Sequence, residues 1–124
     1  MAIDSAPTPR GVIMAKAKSK DVAAHHAEAT SRMLKAVADS DRLKIVQSLR
    51  SGAKNVSQLA KILGAEMVNV SHHLSVLRAS KVVAAHKKGR FVYYTLHPET
   101  YKAGAGNHGD SLALGMCKLE LSPK

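Results

Sequence analysis

Apolar residues recur every three or four positions along four successive segments, which is the pattern of amphipathic helices. The third segment, "VSQLAKIL", is the shortest of them. The pattern predicts four helices between residues 21 and 80. The positions expected on the buried faces are Ala27, Leu34 and Val37 in the first helix, Leu43, Val46 and Leu49 in the second, and Met67, Val70, Leu74 and Leu77 in the fourth.

Polar and glycine residues mark where these helices begin and end. Asp39 is expected to cap the second helix, because a side-chain oxygen at that position accepts a bond from a free backbone N–H. Asn55 and Gln58 have the spacing of a capping box at the head of the third helix. Gly52 and Gly64 are predicted to end the second and third helices.

The apolar period shortens to about 2 after the fourth helix, in "VVAAHKKGRFVYYTLH". This alternation predicts a β-hairpin with a tight turn at Lys88 and Gly89, and with its apolar side chains on one face. The expected cross-strand pairs are Lys87 with Arg90, Ala85 with Val92, and Val83 with Tyr94.

The last segment alternates again but is interrupted by glycines. Glycines within 103–110 argue against a helix there. A short strand or extended apolar tail is predicted instead, with Gly115 interpreted as a bulge. Its alternating apolar positions are Leu112, Leu114, Met116, Leu119 and Leu121.

Charge and composition narrow the class of protein. Lys and Arg number 19 against 9 Asp and Glu, so the formal net charge of +10 favours a polyanionic partner, nucleic acid before an anionic membrane surface. No apolar run approaches the roughly 20 residues of a membrane span. The single cysteine, Cys117, cannot form an intramolecular disulfide, which indicates a cytoplasmic protein. Residues 1–20 are interpreted as a disordered basic arm and not as a signal peptide.

The fourth helix and the hairpin carry the groups that DNA recognition needs. A helix fits the major groove, where its polar side chains reach base edges. The sequence from Met67 to Pro98 contains no acidic residue, so nothing in that window repels phosphates. The residues expected to contact DNA are Asn69, Ser71, His72, His73, Ser75 and Arg78 on the helix, and Lys87, Lys88 and Arg90 on the hairpin.

The adjacent histidines His72 and His73 also suggest a metal site. Successive helical residues project about 100° apart, so the two rings cannot both face one ion with good geometry. We interpret them as DNA contacts, with His73 turned partly toward the core.

Three stretches, "LKAVADSDRLKIVQSL", "VSQLAKILGAEMVNVSHHLSVLRASKVV" and "KKGRFVYYTL", closely resemble the ArsR/SmtB family of bacterial winged-helix repressors. The resemblance covers about Leu34 to His97. It implies a homodimer that binds an inverted-repeat operator in double-stranded DNA and represses transcription until an inducer releases it. It also implies that the Ser-His-His stretch faces DNA. Glu66, Met67 and Val68 depart from the family pattern, which has small polar residues at the start of this helix.

The resulting fold prediction is α+β and mainly helical: a winged helix-turn-helix of about four helices and a hairpin wing, with a C-terminal extended tail. The expected organisation is the arm 1–20, a DNA-binding and dimerisation domain over 21–102, and a Gly-rich linker with the apolar tail over 103–124. The first helix and the tail are expected to form the dimer interface. The protein would then be cytoplasmic and located at the nucleoid when bound to DNA.

The inducer stays open at this stage. The arsenic and cadmium sensors of the resembled family need a Cys-x-Cys where this chain has Asn55, Val56 and Ser57. No cofactor is expected, and the weak candidate metal ligands are His108 and Cys117. Cys117 is interpreted chiefly as a small buried hydrophobe, with a redox-active or metal-binding thiol as the alternative.

A second class of function is a winged-helix module that binds proteins and has lost DNA reading. Glu66, Met67 and Val68 are its support, whereas the acid-free window favours DNA. An enzyme is not expected, because the sequence has no nucleophile–base pair, phosphate-binding loop or paired carboxylates.

Overall fold

The computed structural model describes residues 26–105 and 109–122. Four helices and two small antiparallel sheets pack around one core of aliphatic side chains. The helices are α1 over the described residues 26–37, α2 (Ser40–Leu49), α3 (Val56–Leu63) and α4 (Met67–Ala79). The strands are β1 (Lys54–Asn55), β2 (Val83–Lys88), β3 (Phe91–Leu96), β4 (Tyr101–Lys102), β5 (Ser111–Leu114) and β6 (Cys117–Glu120). The predicted fold class is confirmed, and residues 1–20 lie outside the described part.

The predicted starts of α2 and α3 are confirmed. The Asp39 carboxylate accepts a 3.1 Å bond from the Arg42 backbone N–H. Asn55 and Gln58 form both bonds of the capping box. Gly64 ends α3 with a φ of 64°, a left-handed conformation that suits glycine. The stop of α2 differs from the prediction, because Arg50 and not Gly52 is its C-cap residue.

The buried faces of the helices agree with the apolar pattern only in part. Val37, Val46, Leu49, Val70, Leu74 and Leu77 are buried as predicted. Ala27 is exposed, and Leu34, Leu43 and Met67 are 39%, 42% and 53% exposed, so these four predictions are wrong. Thr30, Ala36 and Ile45 take the buried positions instead. The reason in α1 is that the C-terminal hairpin contacts the Thr30 face of this helix.

The predicted wing is present, with a different register. Gly89 and Arg90 form the turn, so Lys88 pairs with Phe91, Ala85 with Tyr94 and Val83 with Leu96. The predicted register is therefore wrong by two residues. A two-residue hairpin turn that matches the twist of its strands needs a positive φ at its first central position. Gly89 has a φ of 65° there. The parity is unchanged, so the same side chains share a face.

A third strand, which the sequence pattern does not indicate, ties the wing to the helices. β1 pairs with β3, placing Lys54 opposite Tyr94 and Asn55 opposite Tyr93. Since Asn55 is also the N-cap of α3, the start of the helix-turn-helix and the base of the wing are held by one short ladder.

The tail forms a second sheet of order β4-β5-β6. Leu112 and Leu114 of β5 are fully buried in the common core. Gly115 has a φ of 63° in the tight turn before Cys117, so its interpretation as a bulge is wrong. The turn is pressed against α1, where the Thr30 hydroxyl accepts a 2.9 Å bond from the Met116 N–H. A Cβ on Gly115 would overlap the Thr30 hydroxyl.

A buried ion pair joins this sheet to α2. Arg50 Nε donates to Asp110 Oδ2 at 2.9 Å, and Arg50 Nη2 donates to the Ser122 carbonyl at 2.6 Å. Asp110 also accepts from the Tyr101 hydroxyl at 2.6 Å and from the Gly104 N–H at 2.8 Å. These donors, with the Gly104 N–H first, hold the pKa of Asp110 well below its usual range. Burial, followed by the bond to Asp110, raises the pKa of Tyr101.

Asp110→Asn should lower the free energy of unfolding at pH 7, because the amide brings no negative charge to the Arg50 guanidinium. The stabilisation from a carboxyl with a depressed pKa is complete above its ordinary value of about 4 and is lost as the pH falls toward its folded value. The free energy of unfolding of the wild type should therefore fall more steeply below pH 4 than that of Asp110→Asn, measured by urea titration. Glu28→Gln, on the exposed face of α1, is the control and should follow the wild type. Parallel acid profiles for Asp110→Asn and wild type would contradict this account.

Candidate nucleic-acid interface

The fourth helix is the second helix of a helix-turn-helix. α3 ends at Leu63, the three residues 64–66 form the turn, and α4 begins at Met67. Val70, Leu74 and Leu77 attach α4 to the core. This apolar stripe fixes the rotation of the helix about its axis and leaves the opposite side uncovered.

The uncovered side of α4 is polar over most of its length. The exposed residues of α4 are Met67, Val68, Asn69, Ser71, His72, Ser75, Arg78 and Ala79. The Ser75 hydroxyl donates to the Ser71 carbonyl one turn earlier, at 3.1 Å. Val68, 77% exposed, adds one apolar group to the first turn of this surface. The structure thus brings five of the predicted helix residues onto one face.

His73 lies on a different side of α4 from His72. Its side chain is 16% exposed and points toward the start of α2. Arg42 Nη1 lies 3.2 Å from His73 Nδ1, and Asp41 Oδ2 lies 3.6 Å from His73 Nε2. Because a guanidinium only donates, Nδ1 must accept and the ring proton resides on Nε2, facing Asp41.

Arg42 connects three helices around this histidine. Its Nε donates to the Ala36 carbonyl of α1 at 2.5 Å while its Nη1 reaches His73 of α4. The pKa of Asp39 is lowered, chiefly by the Arg42 backbone N–H that donates to its carboxylate and to a lesser degree by the nearby Arg42 charge. Sequence reasoning did not identify Arg42 or Asp41. The sequence signal that could have identified Arg42 was its cationic side chain, three residues after the N-cap residue Asp39.

Asp39, Asp41 and His73 place one ligand atom each within 4.8 Å of one another, a spacing that a metal ion could use. Two observations argue against that use. His73 Nε2 carries the proton while Arg42 occupies Nδ1, and the Arg42 cation lies beside the cluster. An Nε2 atom of His73 that carries the ring proton fits these distances better than a divalent cation bound to the cluster does.

The wing carries the other predicted contacts. Lys87, Lys88 and Arg90 are exposed around the Gly89 turn. Phe91, next to the turn, is half exposed and lies edge-on to Tyr93, with ring centroids 6.4 Å apart. The hairpin therefore presents three cations, held by the paired strands β2 and β3.

Of the two candidate metal ligands, the structure describes only Cys117. His108 lies outside the described part of the chain. Cys117 is exposed at the start of the edge strand β6, so its interpretation as a buried hydrophobe is wrong. The cause is the turn at Gly115 and Met116, which brings Cys117 to the uncovered edge of the sheet.

Comparison with known proteins agrees with this architecture. A model of bacterial regulatory proteins of the arsR family matches residues 39–84. The transcriptional repressor SdpR of Bacillus subtilis (strain 168) is 33% identical over 67 residues, 54% of this chain and 74% of the relative. The chain belongs to the ArsR family. It is a winged helix-turn-helix transcriptional regulator and not an enzyme.

Two further similarities are to a cadmium resistance regulator and to a solved DNA-binding domain. The cadmium resistance regulator CadC of Listeria innocua is 39% identical over 80 residues, 64% of this chain and 66% of the relative. The homodimeric winged helix-turn-helix DNA-binding domain from Mycobacterium bovis superposes with a TM-score of 0.61 at 29% identity, covering 64% of this chain and 73% of that one. Within the described ranges, no helix is long and apolar enough to cross a membrane.

The adjacent histidines should respond differently to removal. His73→Ala should lower the free energy of unfolding by about 1 kcal/mol, because Arg42 loses an acceptor in a partly buried site. His72→Ala, at an exposed position, should change it by less than about 0.5 kcal/mol. Urea unfolding followed by circular dichroism measures both. Equal effects of the two substitutions would mean that the Arg42–His73 contact does not hold α4.

Proposed function

We propose that this ArsR-family protein is a homodimeric repressor that binds an inverted-repeat operator through the exposed face of α4 and the wing, and that an inducer releases it. In this proposal Asn69, Ser71 and His72 read base edges. The phosphate contacts are assigned to Arg78 and Ser75 on the helix and to Lys87, Lys88 and Arg90 on the wing. His73 positions α4 through Arg42 and contacts DNA at most with its ring edge.

The acid-free window is the observation that carries the proposal. No carboxylate lies between Met67 and Pro98, although five lysines and arginines do, at positions 78, 81, 87, 88 and 90. This window contains the whole uncovered face of α4 and the whole wing. A surface that only bound protein would have no need to exclude acidic residues. A surface that approaches phosphates would.

The residues at the start of α4 support a DNA-contacting surface that differs from the family pattern. Glu66 is exposed and makes no capping bond with its side chain, so nothing fixes its carboxylate away from a DNA backbone. Beside it, Val68 offers a methyl contact of the kind that suits the thymine C5-methyl group. We propose that these two residues restrict the operator at the bases nearest the helix start.

The inducer is the second part of the proposal. CadC is named for cadmium resistance, but this chain has no thiol at Asn55, Val56 or Ser57. The exposed Cys117 favours an inducer that acts on this thiol, either an oxidant or a metal ion. Fluorescence anisotropy on duplex from the region upstream of the protein's own gene, with and without zinc, separates the cases. Release by zinc would support a metal sensor, whereas release by oxidant, absent in Cys117→Ser, would support a redox sensor.

Arg90→Ala should weaken binding to operator and to random DNA by similar factors, because a wing cation contacts phosphate and not base. The slope of log affinity against log salt should become shallower by about one unit. Lys44→Ala, an equal charge change at an exposed position on α2, is the matched control and should leave the slope unchanged. An unchanged slope in Arg90→Ala would remove the wing from the interface.

His72→Ala should cost about 1–3 kcal/mol of binding free energy on the operator and much less on random duplex. The reason is that a base-edge contact discriminates between sequences, whereas a phosphate contact does not. Anisotropy with both duplexes at one salt concentration measures the two losses. Equal losses would reassign His72 to positioning, and failure of the wild type to bind any duplex would favour the protein-interaction alternative.

A further inference from the structure

Among the residues that the structure describes, the outer strand of the C-terminal sheet has an unpaired edge. Within this part of the chain β6 pairs only with β5, and the order β4-β5-β6 places no strand on its other side. Such an edge presents free N–H and C=O groups that can extend the sheet with another strand.

The ladder itself shows which backbone groups of β6 face outward. The Leu121 N–H donates to the Asp110 carbonyl at 2.7 Å, so this pair and every second pair along the hairpin are the bonded ones. The Ala113 N–H points the other way, donating to the Thr100 carbonyl. Its cross-strand neighbour Lys118, and Glu120 two residues on, therefore direct their N–H and C=O groups toward the free edge.

The side chains of these two residues carry opposite charges. Lys118 and Glu120 lie on the same face of β6, with Nζ and Oε1 3.9 Å apart, and both are exposed. Around a twofold axis through Leu119, an antiparallel second copy of β6 would place Glu120 of the partner subunit opposite Lys118, and the partner subunit's Lys118 opposite Glu120. Opposite charges directly across an antiparallel pair stabilise it.

This register is the one that satisfies backbone and charge together. A shift of two residues places Lys118 opposite its own copy, or Glu120 opposite its own copy, and like charges across strands are destabilising. A shift of one residue pairs an outward-facing backbone with an inward-facing one, and the bonds are lost. The sequence Lys-Leu-Glu thus specifies its own antiparallel partner.

The other face of β6 offers apolar surface to the same partner. A groove of about 400 Å³ between α2 and β6 is lined in part by Leu43, Val46, Leu119 and Leu121. Leu43, predicted from the sequence to be buried, is 42% exposed at this groove. In the twofold arrangement the partner subunit's Leu119 lies directly opposite Leu119 on the face that borders the groove.

We propose that two copies of this chain dimerise by antiparallel pairing of β6 with β6, forming one six-stranded sheet in which Lys118 and Glu120 make two reciprocal cross-strand ion pairs. This inference rests on the proposed homodimer and names the surface that forms it. The partner is a second copy because the charge order is complementary to itself.

Charge reversal tests the pairing on the full-length protein. Lys118→Glu alone and Glu120→Lys alone each create two like-charged pairs, and each should raise the dimer dissociation constant at least about tenfold in sedimentation experiments. The double variant Lys118→Glu/Glu120→Lys restores both pairs and should dimerise within about threefold of the wild type. An equimolar mixture of the two single variants should form a heterodimer, because the strand with two glutamates then faces the strand with two lysines.

The controls separate pairing from folding. Circular dichroism should show the wild-type spectrum for all three variants, since both side chains are exposed. A double variant as weak as the single ones, or single variants that dimerise like the wild type, would overturn the inference.

A thiol test measures the register directly. Cys117 lies opposite the partner subunit's Leu121 in the proposed pairing, a non-bonded position whose short separation suits a disulfide. Oxidised Leu121→Cys should run as a covalent dimer on a non-reducing gel, whereas Ser122→Cys should not. Two copies of Cys117 would lie four residues apart along the strands, roughly 13 Å, so rapid disulfide dimers of the wild type would overturn this register.

Failure here is distinguishable from failure of the proposed function. Sedimentation is carried out without DNA, and operator binding is measured separately by anisotropy. A wild type that binds DNA as a dimer insensitive to charge reversal overturns only the β6 pairing. A wild type that dimerises as described but binds no duplex overturns only the repressor.

Discussion

The Asp110 carboxylate lies where the end of α2, the segment after β4 and the last residues of the tail meet. It accepts from a guanidinium, a phenol and a backbone N–H, and Arg50 extends the contact to the Ser122 carbonyl. A buried carboxylate is tolerated only when its charge is neutralised and its lone pairs are used. These bonds fix the position of the second sheet against α2. In that position Leu112 and Leu114 pack into the core.

A second polar contact positions α4. Arg42 spans from the Ala36 carbonyl to His73, so the rotation of α4 is determined by a hydrogen bond as well as by its apolar stripe. The neighbouring residues His72 and His73 therefore have different roles. His73 is committed to α2, and His72, about 100° around the helix, stays on the uncovered face. The Arg42 contact at Nδ1 leaves the ring proton on Nε2, and this arrangement disfavours a metal ion between His73 and the two carboxylates.

Local signals in the sequence were sufficient for much of this fold. The Asn55 capping box, the left-handed Gly64 and the Val70, Leu74 and Leu77 stripe on α4 depend on residues within a few positions of one another, and they are confirmed. The wing was predicted with its faces correct and its register wrong by two residues, because the pattern did not show that Gly89 must take the first place in the turn. The positive φ at that place decides between the two registers.

Long-range contacts were beyond the reach of pattern reasoning. Arg50 and Asp110 are 60 residues apart, and the local bond from Arg50 to Gln47 does not indicate the long-range pair. The tail shows alternation, but alternation alone does not say whether a segment is one strand or two. The same limit applies to the candidate site. The sequence suggested the exposed polar positions of α4, whereas the link from Arg42 to His73 bridges 31 positions.

Dimerisation of so basic a chain has to overcome its own charge. Each copy carries a formal net charge of +10, and two copies in contact repel over distances comparable to the screening length of about 10 Å at 0.1 M salt. The Lys118–Glu120 edge contributes no net charge to that repulsion, which makes it a favourable place for two copies to touch. DNA phosphates bound at α4 and the wing would neutralise part of the remaining charge. Binding of DNA should therefore tighten the dimer, and by linkage the dimer should bind DNA more tightly than the separate chains do. In the proposed dimer, this distribution of charge would favour assembly on the operator itself.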